Sequence, residues 1–231
     1  MTEQYHDKYF VAQITKSAAK LDWQYGRLFA FAGIASRTAG AATRVLDAGC
    51  GAGPALRWLV SKGYAAFGSD FIYFPLVAAR KLVPEAPVLC ADLKTPFPFR
   101  DGSFNVVLLS EVVEHLHEVP QLLGECLRVL RPDGYLLVTT PNLWDVRRPL
   151  AAITRQQWSG YSDPTHINLF NPTRLRHTVA AAGFERIHLR TGLKPIFVFA
   201  PRRLPFKVTL PYPPLIGNGI VLAARKPGTS V

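Results

Sequence analysis

The sequence is poor in sulfur, since its 231 residues include three cysteines and one methionine. The cysteines are Cys50, Cys90 and Cys126. Because their number is odd and none of them forms a CxxC pair, the sequence excludes a disulfide framework and a zinc knuckle. Long apolar runs are also absent, and none approaches the roughly 18 residues that a membrane-spanning helix needs. The nearest candidate, 28–35, is short and follows acidic as well as basic residues, which does not fit a signal peptide. We therefore expect a cytoplasmic protein with reduced cysteines.

Acidic residues are scarce in the C-terminal part of the chain. Residues 144–231 have 13 Lys+Arg and 3 Asp+Glu, whereas residues 1–143 have 14 and 13. The overall balance, with 48% hydrophobic and 19% charged residues, is typical of one folded globular domain. The basic part indicates an anionic partner, which could be a phosphorylated or carboxylated acceptor, RNA or a membrane surface. A solvated basic face without any partner is the alternative.

Short apolar runs alternate with helix-compatible segments from residue 44 onward, and this pattern predicts an α/β fold with a parallel sheet covered by helices on both faces. The predicted strands are 44–46, 65–69, 87–90, 104–109, 135–140, 187–189 and 220–224, and the predicted helices are 54–62, 74–82, 119–130 and 172–183. We expect a single domain, 1–231, with a helical cap (1–43), a cofactor-binding core (44–192), a proline-rich, aromatic and basic insertion (193–219) and a final strand (220–226).

A glycine-rich loop, Asp47-Ala48-Gly49-Cys50-Gly51-Ala52-Gly53-Pro54, follows the first predicted strand. Glycines allow a tight strand-to-helix turn and let a ligand approach the backbone, although a turn without a ligand can need them too. Pro54 stands where the dinucleotide fingerprint has its last glycine, and no Gly-Lys-Ser/Thr run follows, so neither that fingerprint nor a P-loop fits.

An acidic residue stands at the end of each of the first three strands. Asp47 suits an ammonium group, Asp70 can accept both hydroxyls of a ribose, and Asp92 lies close to where an adenine would sit. Because the glycine loop also lacks a basic residue, the pattern favours a cationic nucleoside over a polyphosphate.

The runs VLDAGCGAG, CADL, FNVVLLSEVVEHL and LRPDGYLLVTTPN, together with Asp70, resemble class I S-adenosylmethionine-dependent methyltransferases over residues 44–192. The resemblance implies a Rossmann-like sheet of seven mostly parallel strands whose last strand is antiparallel. It also implies S-adenosylmethionine as cofactor. The implied cofactor-binding residues are Asp47, Gly49, Cys50, Gly51 and Gly53 for the methionine part, Asp70 with the adjoining Phe71 for the ribose, Asp92 and Leu93 for the adenine, and Ser110 and Glu111 beside the methyl donor. Phe71 departs from the small residue that many relatives have there.

The densest polar cluster is Ser110-Glu111-Val112-Val113-Glu114-His115-Leu116-His117. If this segment is helical, Glu111, Glu114 and His115 share a face at positions i, i+3 and i+4, where they could ligate a divalent cation. The ExxEH pattern resembles ubiquinone-pathway O-methyltransferases and small-RNA 2′-O-methyltransferases, and the second resemblance implies a magnesium ion with His166 as a fourth ligand. Without a metal, His166 could act as a general base, with Glu111 and His115 as further catalytic residues.

These observations predict methyl transfer from S-adenosylmethionine to a hydroxyl of a small aromatic, sugar-like or lipid-linked acceptor that could be anionic. The alternatives are an RNA 2′-O-methyltransferase with a metal at the ExxEH motif, a nicotinamide-dependent oxidoreductase and a non-catalytic binding module. Pro54 and the lack of a Tyr-x-x-x-Lys pair disfavour the oxidoreductase. As a set, a group of aromatic and basic residues could line the acceptor side, although any single aromatic among them is expected to cover the sheet. The group consists of Trp144, Trp158, Tyr161 and the aromatics of 195–214, with Arg147, Arg148, Arg155, Arg202 and Arg203. Peripheral membrane contact and the oligomeric state stay open.

Overall fold

The computed structural model of the protein describes residues 13–34, 43–153, 158, 163–192, 196–198, 208–210 and 215–228. Residues 1–12 of the predicted cap and most of the predicted insertion, with Arg202 and Arg203, lie outside the described residues. Arg155 and Tyr161 lie outside them as well. The domain boundaries given above therefore stay predictions.

Seven strands form one mixed sheet in the order β3-β2-β1-β4-β5-β9-β6. Its strands are β1 (Arg44–Ala48), β2 (Ala65–Asp70), β3 (Val88–Cys90), β4 (Phe104–Ser110), β5 (Leu130–Pro141), β6 (Glu185–Thr191) and β9 (Gly219–Arg225), and a separate antiparallel pair consists of β7 (Ile196–Val198) and β8 (Val208–Leu210). β1 to β5 pair in parallel, whereas β9 runs antiparallel to both of its neighbours, β5 and β6. The predicted seven-stranded sheet with an antiparallel last strand is confirmed.

Helices cover both faces of the sheet, as predicted. They are α1 (Ala18–Leu21), a π-helical turn (Asp22–Gly26), α2 (Arg27–Phe31), α3 (Pro54–Ser61), α4 (Tyr73–Leu82), α5 (Val119–Val129), α6 (Arg147–Ile153) and α7 (Pro172–Ala181). Side chains alternate between the two faces along each strand. In β4, Val107 and Leu109 pack in the cluster that contains α5 and α7, whereas Val106 and Leu108 pack in the cluster with α1 to α4.

The ends of the helices follow local sequence signals. Asn171 caps α7, because its side-chain oxygen accepts a hydrogen bond from the backbone N–H of Arg174 at 2.8 Å. Gly53 precedes α3 in the left-handed conformation, and Pro54 occupies the first helical turn. Among the described residues, no helix is both long and apolar enough to cross a membrane.

Hydrogen bonds hold the N-terminal segment, residues 13–34, against α3. Trp58 donates its indole N–H to Asp22 at 2.8 Å, and Arg57 donates to the backbone carbonyl groups of Ile14 and Lys16. The rings of Tyr25, Phe29, Trp58 and Tyr64 pack together behind these contacts. The segment is thereby held beside the glycine loop, which immediately precedes α3.

Gly68 in β2 packs so closely against α3 and the glycine loop that no room is left for a side chain. A Cβ there would lie 2.8 Å from Cδ1 of Leu56 and 2.9 Å from Sγ of Cys50. We expect Gly68→Ala to destabilise the protein by about 1–3 kcal/mol through overpacking. Thermal unfolding should show a melting temperature several degrees below that of the wild type.

The matched control is Gly124→Ala, which adds the same methyl group in the exposed interior of α5, where no atom lies within 4 Å. This change should stabilise the protein by about 0.5–1 kcal/mol, because alanine is the better helix former. Equal melting temperatures for the wild type and Gly68→Ala would show that Leu56 and Cys50 can move aside without loss of stability.

Candidate functional site

The glycine loop is shaped by three left-handed residues: Gly49, Gly51 and Gly53 have φ values of 88°, 51° and 82°. Residues other than glycine rarely adopt this backbone conformation. A Cβ at Gly49 would also lie 2.5 Å from Cγ2 of Val112, and one at Gly51 would lie 2.7 Å from Oε1 of Gln13. The left-handed conformation therefore favours glycine at all three positions, and contact with Val112 leaves no room for a side chain at Gly49.

Two acidic side chains lie under this loop at the carboxyl ends of β1 and β2. Asp47 is buried, and Asp70 accepts backbone N–H groups from Gly51 at 2.9 Å and from Ile72 at 3.0 Å. Burial, reinforced by the charge of Asp70, raises the pKa of Asp47 to about 7. Burial raises the pKa of Asp70 too, against the opposing effect of its backbone hydrogen bonds. A cationic ligand would stabilise both carboxylates.

The residues predicted to contact the adenine lie after β3. Asp92 is exposed and accepts the backbone N–H of Lys94 at 3.0 Å, whereas the Leu93 side chain packs in the core. Phe71 is 63% exposed next to Asp70. Cys50 is buried with a free thiol. The structure therefore brings Asp47, the glycines and Asp70 together, and it leaves Asp92 and Phe71 at their solvent-facing edge.

The segment after β4, which contains the ExxEH pattern, does not form an α-helix. Glu111 has a φ of 58° and donates its backbone N–H to the carbonyl oxygen of Thr139 at 2.9 Å. A single 3₁₀ turn, Val113–His115, follows. Glu111, Glu114 and His115 therefore do not share a helical face, because the turn at Glu111 directs the chain out of helical geometry. Ser110 at the strand end lies 3.3 Å from the Thr139 hydroxyl.

Three of the four tentative metal ligands nevertheless meet in space. One ligand atom each from Glu114, His115 and His166 lie within 4.8 Å of one another, and Glu111 is not in this group. Glu114 is fully buried; its Oε2 accepts the Thr140 hydroxyl at 2.9 Å, while its Oε1 has no hydrogen-bond partner among the described residues. Such an orphaned carboxylate oxygen is unusual in a folded protein.

The two histidines, His115 and His166, are 51 positions apart in the chain. The backbone carbonyl of Glu114 accepts the N–H groups of Ile167 and Asn168, both at 3.0 Å, and so joins the two segments. The imidazole rings of His115 and His166 lie 4.9 Å apart in an edge-on arrangement. Burial and then the neighbouring His166 lower the pKa of His115. Burial and then the charge of Glu111 raise the pKa of Glu114 well above its usual value.

A cavity of about 500 Å³ opens beside these groups. Glu111, Thr139, Thr140 and His166 line one part of it. Five cationic side chains also line it: Lys16, Lys20, Arg27, Arg147 and Arg190. Sequence reasoning identified Arg147 but missed the other four, since the N-terminal segment and the end of β6 meet only in the folded chain.

Trp158 does not line this cavity as predicted. It is buried and donates its indole N–H to Oδ2 of Asp145 at 2.9 Å, so it supports the wall. Arg148 is exposed and is not among the residues that line the cavity, in contrast to its neighbour Arg147. Trp144 is exposed near the same segment.

The raised pKa of the buried Asp47 carboxyl makes the stability of the protein depend on pH. Because its folded-state pKa of about 7 exceeds its ordinary value of 3.8, its contribution to stability is complete below pH 3.8 and is lost as the pH rises through about 7. Unfolding by urea across this range should show wild-type stability falling relative to Asp47→Asn by up to about 1.4 kcal/mol per pH unit. Parallel profiles for wild type and Asp47→Asn would contradict the raised pKa of Asp47.

Comparison with known proteins identifies the family. A family described as a methyltransferase domain matches residues 16–189. A probable S-adenosylmethionine-dependent methyltransferase of Mycolicibacterium smegmatis is 32% identical over 145 residues, which cover 61% of this chain and 51% of the relative. A ubiquinone biosynthesis O-methyltransferase of Agrobacterium fabrum is 29% identical over 156 residues, which cover 65% of this chain and 62% of the relative. The chain thus spans about half the length of the first relative.

Solved structures agree in fold. The crystal structure of an S-adenosylmethionine-dependent methyltransferase from Archaeoglobus fulgidus superposes with a TM-score of 0.67 at 18% identity, covering 94% of this chain and 99% of the other. The family match over residues 16–189 favours the methyltransferase interpretation over the nicotinamide oxidoreductase. Since the family match extends over more than half of the chain and the strand order agrees with it, this protein belongs to the class I S-adenosylmethionine-dependent methyltransferases.

Proposed function

We propose that the protein transfers a methyl group from S-adenosylmethionine to a hydroxyl oxygen of a small or lipid-linked acceptor. The observation that carries this proposal is that Glu111 and His166 line the same cavity. Glu111 follows directly on the strand end where the methyl donor is expected, and His166 can accept a proton. The relative from Agrobacterium fabrum, whose name specifies an O-methyltransferase, supports oxygen as the methylated atom.

The residues at the carboxyl ends of β1 and β2 fit the cofactor. The glycine loop turns tightly between β1 and α3, and it contains no basic side chain that would repel a cation. Asp47 would hold the ammonium group, since a nearby positive charge favours its ionised form. Asp70 is oriented by two backbone N–H groups, and its remaining lone pairs could accept the ribose hydroxyls.

The chemical step then depends mainly on alignment. When bound, S-adenosylmethionine supplies a methyl carbon on a positively charged sulfur, which retains the electron pair of the bond that breaks. His166 would accept the proton of the acceptor hydroxyl as its oxygen forms the new bond to carbon. Glu111 and His115 would orient the groups around it, and the buried environment of His115 favours its neutral form. Holding the oxygen in line with the methyl group supplies much of the acceleration.

Cofactor binding tests the assignment of Asp70. Asp70→Ala should weaken the binding of S-adenosylhomocysteine at least tenfold, because the variant loses the acceptors for the ribose hydroxyls. Titration calorimetry measures this affinity directly. Asp70→Asn keeps an oxygen for the Gly51 N–H and should fold normally, and Glu85→Gln serves as an exposed acidic control. Unchanged affinity in both Asp70 variants would place the ribose elsewhere.

A metal-dependent RNA 2′-O-methyltransferase is the second candidate, and the orphaned Oε1 of Glu114 favours it. Glu114, His115 and His166 could hold a divalent cation such as magnesium with mixed oxygen and nitrogen ligands. The ion would polarise the acceptor hydroxyl. His166 would then be a ligand instead of the base. The basic C-terminal part would face the RNA backbone.

One transfer experiment separates the two candidates. Labelled methyl from S-adenosylmethionine is offered to a cell extract that is afterwards separated into RNA, lipid and small-molecule pools, with and without a chelator. We expect label in the small-molecule or lipid pool, resistance to the chelator, and at least a hundredfold loss in His166→Gln. His177→Gln is the matched control, on the exposed part of α7.

Label in RNA, chelator sensitivity and a steep fall of acceptor affinity with added salt would instead support the second candidate. The absence of label from every pool, with S-adenosylhomocysteine still bound, would contradict methyl transfer and favour a binding module.

A further inference from the structure

Cationic side chains outnumber acidic ones in the lining of the cavity beside His166. Its five cationic side chains come from three parts of the chain: the N-terminal segment, the start of α6 and the end of β6. Among the described residues that line it, Glu111 is the one carboxylate. Like charges gathered in a partly enclosed space raise one another's energy, and an anionic ligand would relieve this cost.

Arg147 is oriented by a buried carboxylate. Asp145 is almost fully buried, and its two oxygens accept the Nε of Arg147 at 3.0–3.1 Å and Nη2 at 2.6 Å. Trp158 donates its indole N–H to the same carboxylate at 2.9 Å. Burial alone would raise the pKa of Asp145, but the hydrogen bonds from Arg147 and Trp158 outweigh it and hold that pKa below its usual value. Asp145 therefore stays ionised and fixes the guanidinium of Arg147, whose side chain remains 43% exposed.

Arg27 and Arg190 line the same cavity as Arg147. Arg190 donates to the backbone carbonyl of Arg27 at 3.4 Å, and its guanidinium lies 4.6 Å from the ring centroid of Phe31. The Arg27 guanidinium lies 5.3 Å from the ring centroid of Trp23, which also lines the cavity. These ring contacts limit the movement of two long side chains, so both guanidinium groups are positioned before any ligand arrives.

We infer that this cavity binds an anionic group of the methyl acceptor, a phosphate or a carboxylate, between Arg27, Arg147 and Arg190. Guanidinium groups recognise both kinds of anion through paired hydrogen bonds. The inference rests on the proposed function, because it assigns the charge of the acceptor whose hydroxyl lies at His166. It also gives the basic wall a role distinct from the acidic cofactor loop on the other side of Glu111.

The anion can be measured without methyl transfer. The full-length protein, saturated with S-adenosylhomocysteine, is titrated by calorimetry with phenyl phosphate, benzoate and benzyl alcohol, which share one ring and differ in charge. We expect at least one of the two anions to bind tenfold or more tightly than benzyl alcohol. Tighter binding of phenyl phosphate would indicate a phosphorylated acceptor, and tighter binding of benzoate a carboxylated one.

The arginine variants locate the bound anion. Arg147→Gln and Arg190→Gln should each weaken the binding of the preferred anion at least tenfold and leave the affinity for S-adenosylhomocysteine unchanged. Arg148→Gln is the matched control, because it removes the same charge from the neighbouring position on α6 outside the cavity. Its anion affinity should equal that of the wild type.

Two results would overturn the inference while the proposed function stands. Equal binding of the three ring compounds would show that charge plays no part in recognition. Weaker S-adenosylhomocysteine binding in Arg190→Gln, with anion binding intact, would assign the cations to the carboxylate of the cofactor. Loss of S-adenosylhomocysteine binding in the wild-type protein would instead contradict the proposed function itself.

Discussion

Parallel pairing of β1, β2, β4 and β5 is the constraint on which the site depends. Parallel strands all end at the same edge of the sheet, so the loops that follow them must converge there. The pairing of β1 with β2 places Asp47 and Asp70 on one side of that edge, and the pairing of β4 with β5 places Glu111 beside Thr139. A shift of either register by one residue would turn these side chains to the opposite face.

The charges at this edge are arranged in two opposing groups. Buried carboxyl groups lie beside the glycine loop and in the 3₁₀ turn, where burial raises the pKa values of Asp47, Asp70 and Glu114. Cationic side chains line the cavity that Glu111 and His166 share. A positively charged methyl donor and an anionic acceptor would each meet complementary charge. The same separation would keep either ligand from binding in the place of the other.

The sequence predicted the sheet well because its signals are local. Each buried parallel strand is a short apolar run, and glycine or proline marks the helix ends nearby. β5 is longer than predicted, since it begins at Leu130, which pairs with Phe104 across an irregularity in the ladder. The conformation of the segment after β4 could not be predicted in this way, because a contact distant in sequence determines it. Helical spacing is visible in the sequence, but the left-handed turn at Glu111 is stabilised by Thr139, 28 positions further along the chain.

The sequence by itself determined the fold, the cofactor loop and the two carboxylates beneath it, because glycines, acids and strand ends lie within a few residues of one another there. Only the tertiary structure decided which groups line the cavity beside His166. Arg27 and Arg190 are far apart in the chain and meet through the packing of the N-terminal segment against β6. Trp158 is a support for Asp145, although the sequence alone suggested an acceptor contact. Burial and long-range contact set these roles, and neither leaves a periodic signal in the sequence.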